Sequence, residues 1–102
     1  MTTLFYLLAA HALCDFPLQG DYLARGKNHK APLPGSPWFL LLLAHALIHG
    51  GAVALVTGNV WLGIAETVAH ASIDYAKCDG RIGYVTDQGA HVACKVAWTV
   101  LA

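Results

Sequence analysis

The chain has 102 residues, which is enough for one domain at most. Hydrophobic residues make up 57% and charged residues only 12% of the sequence, whereas an average soluble domain has roughly 25% charged residues. Six Lys and Arg residues balance six Asp and Glu residues, which excludes the basic surface that binding to nucleic acid requires. The composition therefore predicts an integral membrane protein with no nucleic-acid partner.

Four apolar segments follow one another along the chain, and each is long enough to cross, or nearly cross, a bilayer core of roughly 30 Å. The first is expected to continue past Pro17, because proline kinks a membrane helix without always ending it. The second begins after Ser36, a good N-cap residue, with Pro37 at the first helical position. The fold class expected is all-α, a four-helix transmembrane bundle in one domain. Its predicted helices span about residues 2–24, 37–56, 60–77 and 86–102.

The placement of basic residues predicts the orientation of this bundle. They lie in the first and third connections, whereas the turn at residues 57–59 has no charge. The positive-inside rule then places both of these connections in the cytoplasm. We therefore expect a multi-pass protein of the inner (cytoplasmic) membrane, in contact with membrane lipids, with both termini outside the cytoplasm. The basic residues concerned are Arg25, Lys27, Lys30, Lys77 and Arg81.

Ionisable residues inside the apolar segments repeat at a single spacing, i to i+4, so each predicted helix has one polar face. Four such faces avoid lipid only by meeting inside the bundle, and ionisable groups within a membrane usually mark function. The nine residues are His11, Asp15, His45, His49, Glu66, His70, Asp74, Asp87 and His91.

Imidazoles and carboxylates in this mixture are ligands of divalent metals, and the sequence favours Zn²⁺ over Mn²⁺ or Fe²⁺. A pair at i, i+4 allows one helix to supply two ligands. The nine candidates exceed what one ion needs, so either two metals bind or some carboxylates orient the histidines. The predicted metal ligands are His11, Asp15, His45, His49, His70, Asp87 and His91.

A purely structural role for the same residues is the competing interpretation, because buried His and Asp side chains can also hydrogen-bond across helices and fix their register. Three residues receive simpler interpretations from the sequence. Asp87 suits the N-terminal charge of the last helix, His29 a solvated loop, and Trp98 an aromatic belt at the membrane interface.

Three motifs resemble a family of small bacterial and phage integral membrane proteins, which is classified as a domain of unknown function. They are His-x3-Asp-Phe at residues 11–16, Glu-x3-His-x3-Asp-Tyr-x-Lys at 66–77 and Asp-Gln-x2-His at 87–91. The resemblance covers nearly the whole chain. It implies a membrane location and a phage or prophage origin, and it implies no particular reaction.

The leading hypothesis is a membrane-embedded metal-dependent hydrolase of a phosphoester or lipid-linked substrate. Metal lowers the pKa of a bound water, and a carboxylate that is not a ligand, Glu66 or Asp74, takes its proton. Basic residues at the cytoplasmic side hold the anionic leaving group, and these are Lys27, Lys77 and Arg81. The predicted catalytic residues are therefore Glu66, Asp74 and Lys77.

Non-enzymatic functions form the alternative. His45 and His70, or His11 and His91, are candidate axial ligands of a haem, although so many carboxylates suit a hard divalent metal better. A phage-type protein that perturbs a host membrane system is a further alternative. The small residues Gly50-Gly51 permit close helix contacts within a protomer or between protomers, so the sequence is also compatible with a homo-oligomer.

Overall fold

The computed structural model describes residues 2–102, which form α-helices and no β-strand. The all-α prediction is therefore confirmed for these residues. The helices are α1 (Thr2–Asp15), α2 (Gly20–Gly26), α3 (Trp38–Thr57), α4 (Val60–Cys78) and α5 (Tyr84–Leu101).

The four longer helices enclose a common core. Helix α3 packs between α1 and α4, and α5 closes the bundle by packing against both α4 and α1. Leu7 in the first half of α1 clusters with Val53 near the end of α3, whereas Asp15 at the end of α1 contacts His45 in the first half of α3, so α1 and α3 run antiparallel. The contacts of Glu66 with Lys95 and of Asp74 with His91 show the same for α4 and α5. The short helix α2 packs mainly against α3. The bundle measures 41 × 23 × 22 Å, and its polar side chains point into the shared interior.

The predicted first helix is corrected by the structure. It does not continue to residue 24, because α1 ends at Asp15 and residues 16–19 form a turn before α2 begins. Pro17 has no backbone N–H to donate, and Gly20 adopts a φ of 66°, a left-handed conformation that interrupts a helix. The side chain of Gln19 donates to the carbonyl oxygen of Asp15 at 2.9 Å, which satisfies one of the acceptors freed at this helix end.

The predicted turn between α3 and α4 is present. Gly58 has a φ of 68° at the end of α3, where glycine adopts the left-handed conformation without a steric penalty. The side chain of Asn59 caps α4 by accepting hydrogen bonds from the backbone N–H groups of Trp61 and Leu62. The two helices are therefore joined by a tight antiparallel turn, which brings their polar faces together.

Only α3 among the described helices is long and apolar enough to cross a membrane, with a mean hydropathy of 2.1 over its best window. Helix α1 has only 14 residues, and charged residues interrupt the middle of α4 and α5. One such helix is weak evidence for a membrane, because the core helix of a soluble protein passes the same test. The structure thus supports a helical bundle, and it does not support four transmembrane spans or a multi-pass location.

Burial in this bundle is inverted relative to a soluble protein. Among the described residues, ten buried side chains are polar or charged and only six are hydrophobic. Large apolar side chains face outward instead, including Leu55 (87% exposed), Val85 (83%) and Trp61 (78%). Exposed apolar surface of this extent is typical of a protein that contacts a membrane or another protein.

Helices α3 and α4 approach each other closely at two glycines. A Cβ atom on Gly50 would lie 2.6 Å from the carbonyl oxygen of Gly63 and would overlap the side chain of Thr67. A Cβ atom on Gly63 would lie 2.7 Å from the carbonyl oxygen of Gly50. Only glycine fits at either position, and this crossing fixes the distance between the histidines of α3 and those of α4.

We expect Gly50→Ala to lower the free energy of unfolding by about 1–3 kcal/mol, because the added methyl group overpacks the helix crossing. Thermal unfolding of the detergent-solubilised protein measures this loss. The adjacent Gly51→Ala is the matched control, since a Cβ atom there would meet nothing within 4 Å. Equal stability of the two variants would contradict the close crossing.

Candidate metal centre

The structure brings all nine ionisable residues of the polar faces together in the interior of the bundle. We call this set the central cluster. Each of the four long helices contributes at least two of its members, at successive turns on its inward face. The members are His11 and Asp15 of α1, His45 and His49 of α3, Glu66, His70 and Asp74 of α4, and Asp87 and His91 of α5.

Three imidazoles surround one carboxylate at the centre of this cluster. The Oδ1 atom of Asp15 lies 2.9 Å from His49 Nε2 and 3.2 Å from His45 Nε2. The Nε2 atom of His70 lies 3.9 Å from the same oxygen. One ligand atom from each of the four residues lies within 4.8 Å of the others. We call these residues, Asp15, His45, His49 and His70, the first ligand group.

A second set of potential ligands lies beside the first. The Nε2 atom of His91 is 3.2 Å from Asp74 Oδ1 and 3.4 Å from Asp87 Oδ1. These three residues again place ligand atoms within 4.8 Å of one another, and all three are buried. We call Asp74, Asp87 and His91 the second ligand group. Asp74 stands between the two groups, because its other oxygen lies 3.4 Å from His70 Nε2.

Glu66 orients His70 rather than pointing a free carboxylate oxygen into the cluster. Its Oε2 atom lies 3.0 Å from His70 Nδ1, and its Oε1 atom accepts hydrogen bonds from Lys95 Nζ at 2.9 Å and Trp98 Nε1 at 2.8 Å. A carboxylate that binds Nδ1–H of a histidine fixes its tautomer, so the Nε2 lone pair is available to a metal. His70 Nε2 accordingly has no hydrogen-bond partner within residues 2–102.

Two basic residues named by the sequence occupy different places. The ammonium group of Lys27 is buried and donates to Asp74 Oδ2 at 2.8 Å. The ammonium group of Lys77 instead lies 4.9 Å from the centroid of the Tyr84 ring, in a cation–π contact. Of the two lysines, Lys27 is therefore the one that contacts the central cluster.

His11 lies at the edge of the cluster. Its Nε2 atom is 3.1 Å from Gln88 Oε1 and 3.4 Å from Asp15 Oδ2. The amide of Gln88 also donates to Asp15 Oδ2 at 3.1 Å. Although the sequence predicts His11 as a ligand, it belongs to neither ligand group, and its contacts hold the carboxylate of Asp15 in place.

Sequence reasoning missed Lys95 and the role of Trp98. Lys95 is 1% exposed and is bound to Glu66. The sequence does indicate its location, because Lys95 follows His91 by four residues and therefore lies on the inward face of α5 that begins at Asp87. The sequence predicts that Trp98 lies in an aromatic belt at the membrane interface. The structure shows in addition that its indole N–H donates to Glu66 inside the bundle.

His29 is not the solvated loop residue that the sequence suggests. Its side chain is only 11% exposed, its ring stacks on Tyr75 at 3.9 Å, and Nε2 lies 2.9 Å from Asp79 Oδ1. Hydrogen bonds from Arg81 and from His29 hold the pKa of the Asp79 carboxyl below its usual range. This contact fastens the segment after α2 to the end of α4, and Lys27 belongs to that segment.

The chain matches the family described as "Protein of unknown function (DUF3307)" over residues 3–102. No curated protein and no solved structure matches this chain. The match covers nearly the whole chain, so the resemblance to a domain-of-unknown-function family is confirmed. The bacterial or phage origin and the membrane location that the resemblance implies stay predictions.

Proposed function

The chain belongs to the DUF3307 family, and we propose that it is a membrane-embedded hydrolase that uses a divalent metal to cleave a phosphoester or lipid-linked substrate. The first ligand group is the observation behind this proposal, because three imidazole nitrogens and one carboxylate oxygen converge there. Zinc prefers this ligand set, which Mn²⁺ and Fe²⁺ also accept. A catalytic zinc site keeps one position for water beside three protein ligands, so three of these four residues would hold the metal and the fourth would stand beside the water.

A bound divalent metal lowers the pKa of its water toward neutrality and so supplies the nucleophile. Asp74 is the carboxylate placed to take the proton, because its Oδ2 atom lies 3.4 Å from His70 Nε2 and 3.5 Å from His45 Nε2, two nitrogens that would hold the metal. Glu66, the other candidate base, already accepts three hydrogen bonds. We assign it as the residue that positions His70.

The inverted burial supports a location inside a membrane. Buried ionisable groups and an exposed apolar exterior are what a bilayer selects, and many large apolar side chains are exposed, among them Leu55, Val85 and Trp61. Helices α3, α4 and α5 have 20, 19 and 18 residues, which corresponds to about 27–30 Å at 1.5 Å per residue. We propose a multi-pass arrangement in the inner membrane, with both termini outside the cytoplasm.

The basic residues support an anionic substrate. Lys27 places its ammonium group on Asp74, next to the proposed metal position, where an oxygen of a phosphate group can also bind it. Lys77 lies at the same end of the bundle as Arg81, near the proposed cytoplasmic surface. A phosphate on a lipid in the cytoplasmic leaflet would therefore meet positive charge before it meets the metal.

The distances between the candidate axial histidines argue against the haem alternative. The rings of His45 and His70 have their centroids 4.9 Å apart, and those of His11 and His91 lie 5.2 Å apart. Imidazoles this close are in direct contact, which leaves no space for a porphyrin plane between them.

Purification without chelators is expected to yield about one zinc per chain, measured by elemental analysis, because a buried site with four ligands binds metal tightly. Release of inorganic phosphate from phosphatidic acid and from an isoprenoid diphosphate in mixed micelles tests hydrolysis. His49→Ala should lose both the metal and at least 100-fold in rate, since it removes a ligand. Ser72→Ala is the control, because this exposed residue of α4 lies outside the central cluster and its hydroxyl donates to the carbonyl oxygen of Val68 in the same helix.

Two results would count against this function. Less than half an equivalent of any transition metal in the purified protein contradicts the metal centre itself. A protein that binds zinc but releases phosphate no faster than His49→Ala contradicts the hydrolase, and it favours the non-enzymatic metal-binding bundle.

A further inference from the structure

Two members of the second ligand group, Asp87 and His91, have no role in the function proposed above. We propose that Asp74, Asp87 and His91 bind a second divalent cation, one that prefers oxygen ligands, such as Mn²⁺ or Mg²⁺. This inference rests on the proposed function only for the first metal and for the phosphate-bearing substrate.

An unsatisfied buried oxygen points into this second site. Asp87 is 2% exposed, and its Oδ1 atom accepts no hydrogen bond from any residue between 2 and 102. The same oxygen faces His91 Nε2 at 3.4 Å. Burial of a carboxylate oxygen without a donor is strongly unfavourable. A cation between Asp87 and His91 removes this penalty.

The ligand chemistry of the two groups differs. The first group offers three nitrogens and one oxygen, whereas the second offers one imidazole and two carboxylates. Carboxylate-rich sites favour Mn²⁺ and Mg²⁺, and imidazole-rich sites favour zinc. The two groups therefore select different metals, and the carboxylate-rich group remains open to Mn²⁺ when zinc fills the other.

Asp74 is placed to serve both sites through different oxygens. Its Oδ1 atom lies 3.2 Å from His91 Nε2, in the second group. Its Oδ2 atom faces His70 and accepts a hydrogen bond from Lys27. If Oδ1 held the second cation, Oδ2 would still face His70 beside the Lys27 ammonium group and could take the proton of the water. The proposed second site is therefore compatible with Asp74 as the base.

The net charge of the central cluster indicates whether the second cation binds alone or together with the phosphate group. Two of its four carboxylates, Asp74 and Glu66, contact the buried lysine ammonium groups of Lys27 and Lys95. The other two carboxylates leave two negative charges when the imidazoles are neutral. One divalent metal balances them. A second cation then leaves two positive charges, which the dianion of a phosphate monoester matches. We therefore infer that the second cation and the phosphate group bind together.

Titration of zinc-loaded protein in detergent with Mn²⁺, followed by the electron paramagnetic resonance signal of free Mn²⁺, tests this inference. One Mn²⁺ per chain is expected, with a Kd that falls at least tenfold when inorganic phosphate is present. Asp87→Asn should keep its zinc and lose the Mn²⁺, because the neutral amide removes a ligand of the second group only. Ser72→Ala is the control that should keep both metals, because Ser72 is an exposed residue of α4 whose hydroxyl donates to the carbonyl oxygen of Val68 in the same helix.

Each outcome has a distinct meaning. Failure of zinc-loaded wild-type protein to bind Mn²⁺ with or without phosphate overturns the second site, and so does Mn²⁺ binding by Asp87→Asn equal to that of wild type. Absence of zinc from the wild-type protein contradicts the proposed function instead. If Asp87→Asn fails to fold, His91→Asn replaces it, with the same expected loss of Mn²⁺.

Discussion

Lys95→Met is expected to lower the free energy of unfolding by about 3–5 kcal/mol, because it leaves a buried carboxylate without its counter-charge. Lys95 is 1% exposed, and its Nζ atom donates to Glu66 Oε1 at 2.9 Å. Methionine has a similar length and fills the same space, so the loss reports charge rather than packing. Unfolding in detergent with chelator present measures the effect without a contribution from bound metal.

A second substitution, at Glu66, tests whether the stability is lost because the ion pair is broken or because polar groups are removed in general. Replacement of one ion of a buried pair is more harmful than replacement of both, so Glu66→Gln combined with Lys95→Met should recover part of the stability. Lys77→Met is the matched control, because that ammonium group is only partly buried and contacts the Tyr84 ring. A Lys95→Met protein as stable as Lys77→Met would show that the buried pair contributes nothing.

The meeting of the polar faces could be predicted from the sequence because helical geometry leaves little freedom. Residues at i and i+4 lie on one face of a helix, and four apolar helices with one polar face each have a single way to bury those faces together. The same argument, extended by one more turn from His91, also includes Lys95. The sequence prediction left out Lys95 because it considered only residues that can bind a metal, and a lysine ammonium group cannot.

The contacts within the cluster could not be predicted from spacing. Periodicity places Glu66 and Asp74 on the same face as His70, and both are then equal candidates for the base. Only the three-dimensional structure shows that Glu66 is held by Lys95 and Trp98, so that it positions His70 instead. The partner of Lys27 is likewise set by the segment after α2, whose path depends on the contact between His29 and Asp79.

At the break between α1 and α2, the sequence alone is compatible with two different structures. Proline within an apolar segment is compatible with a kinked membrane helix and with a helix end. The outcome here depends on Gly20, three residues later, which adopts a positive φ. The end of α1 at Asp15 places this carboxylate at the level of His45 and His49. The helix break therefore contributes to the geometry of the first ligand group.

His49→Ala and His70→Ala are expected to show non-additive losses of stability, because both remove ligands of one metal. Their rings stack with centroids 3.7 Å apart, and both belong to the first ligand group. A metal present at 1,000 times its Kd stabilises the folded state by about 4 kcal/mol. Each single substitution should therefore abolish most of this stabilisation, and the double variant should lose little more.

Thermal unfolding in detergent of the two single variants and the double variant, each with and without chelator, tests this expectation. Chelator should lower the stability of wild-type protein toward that of the single variants, and it should leave the variants unchanged because their site is already empty. Independent structural hydrogen bonds would behave differently, since their losses add when the residues do not share a ligand. Additive losses that are the same with and without chelator would exclude the metal centre. The central cluster would then be a hydrogen-bonded core that fixes the register of the helices.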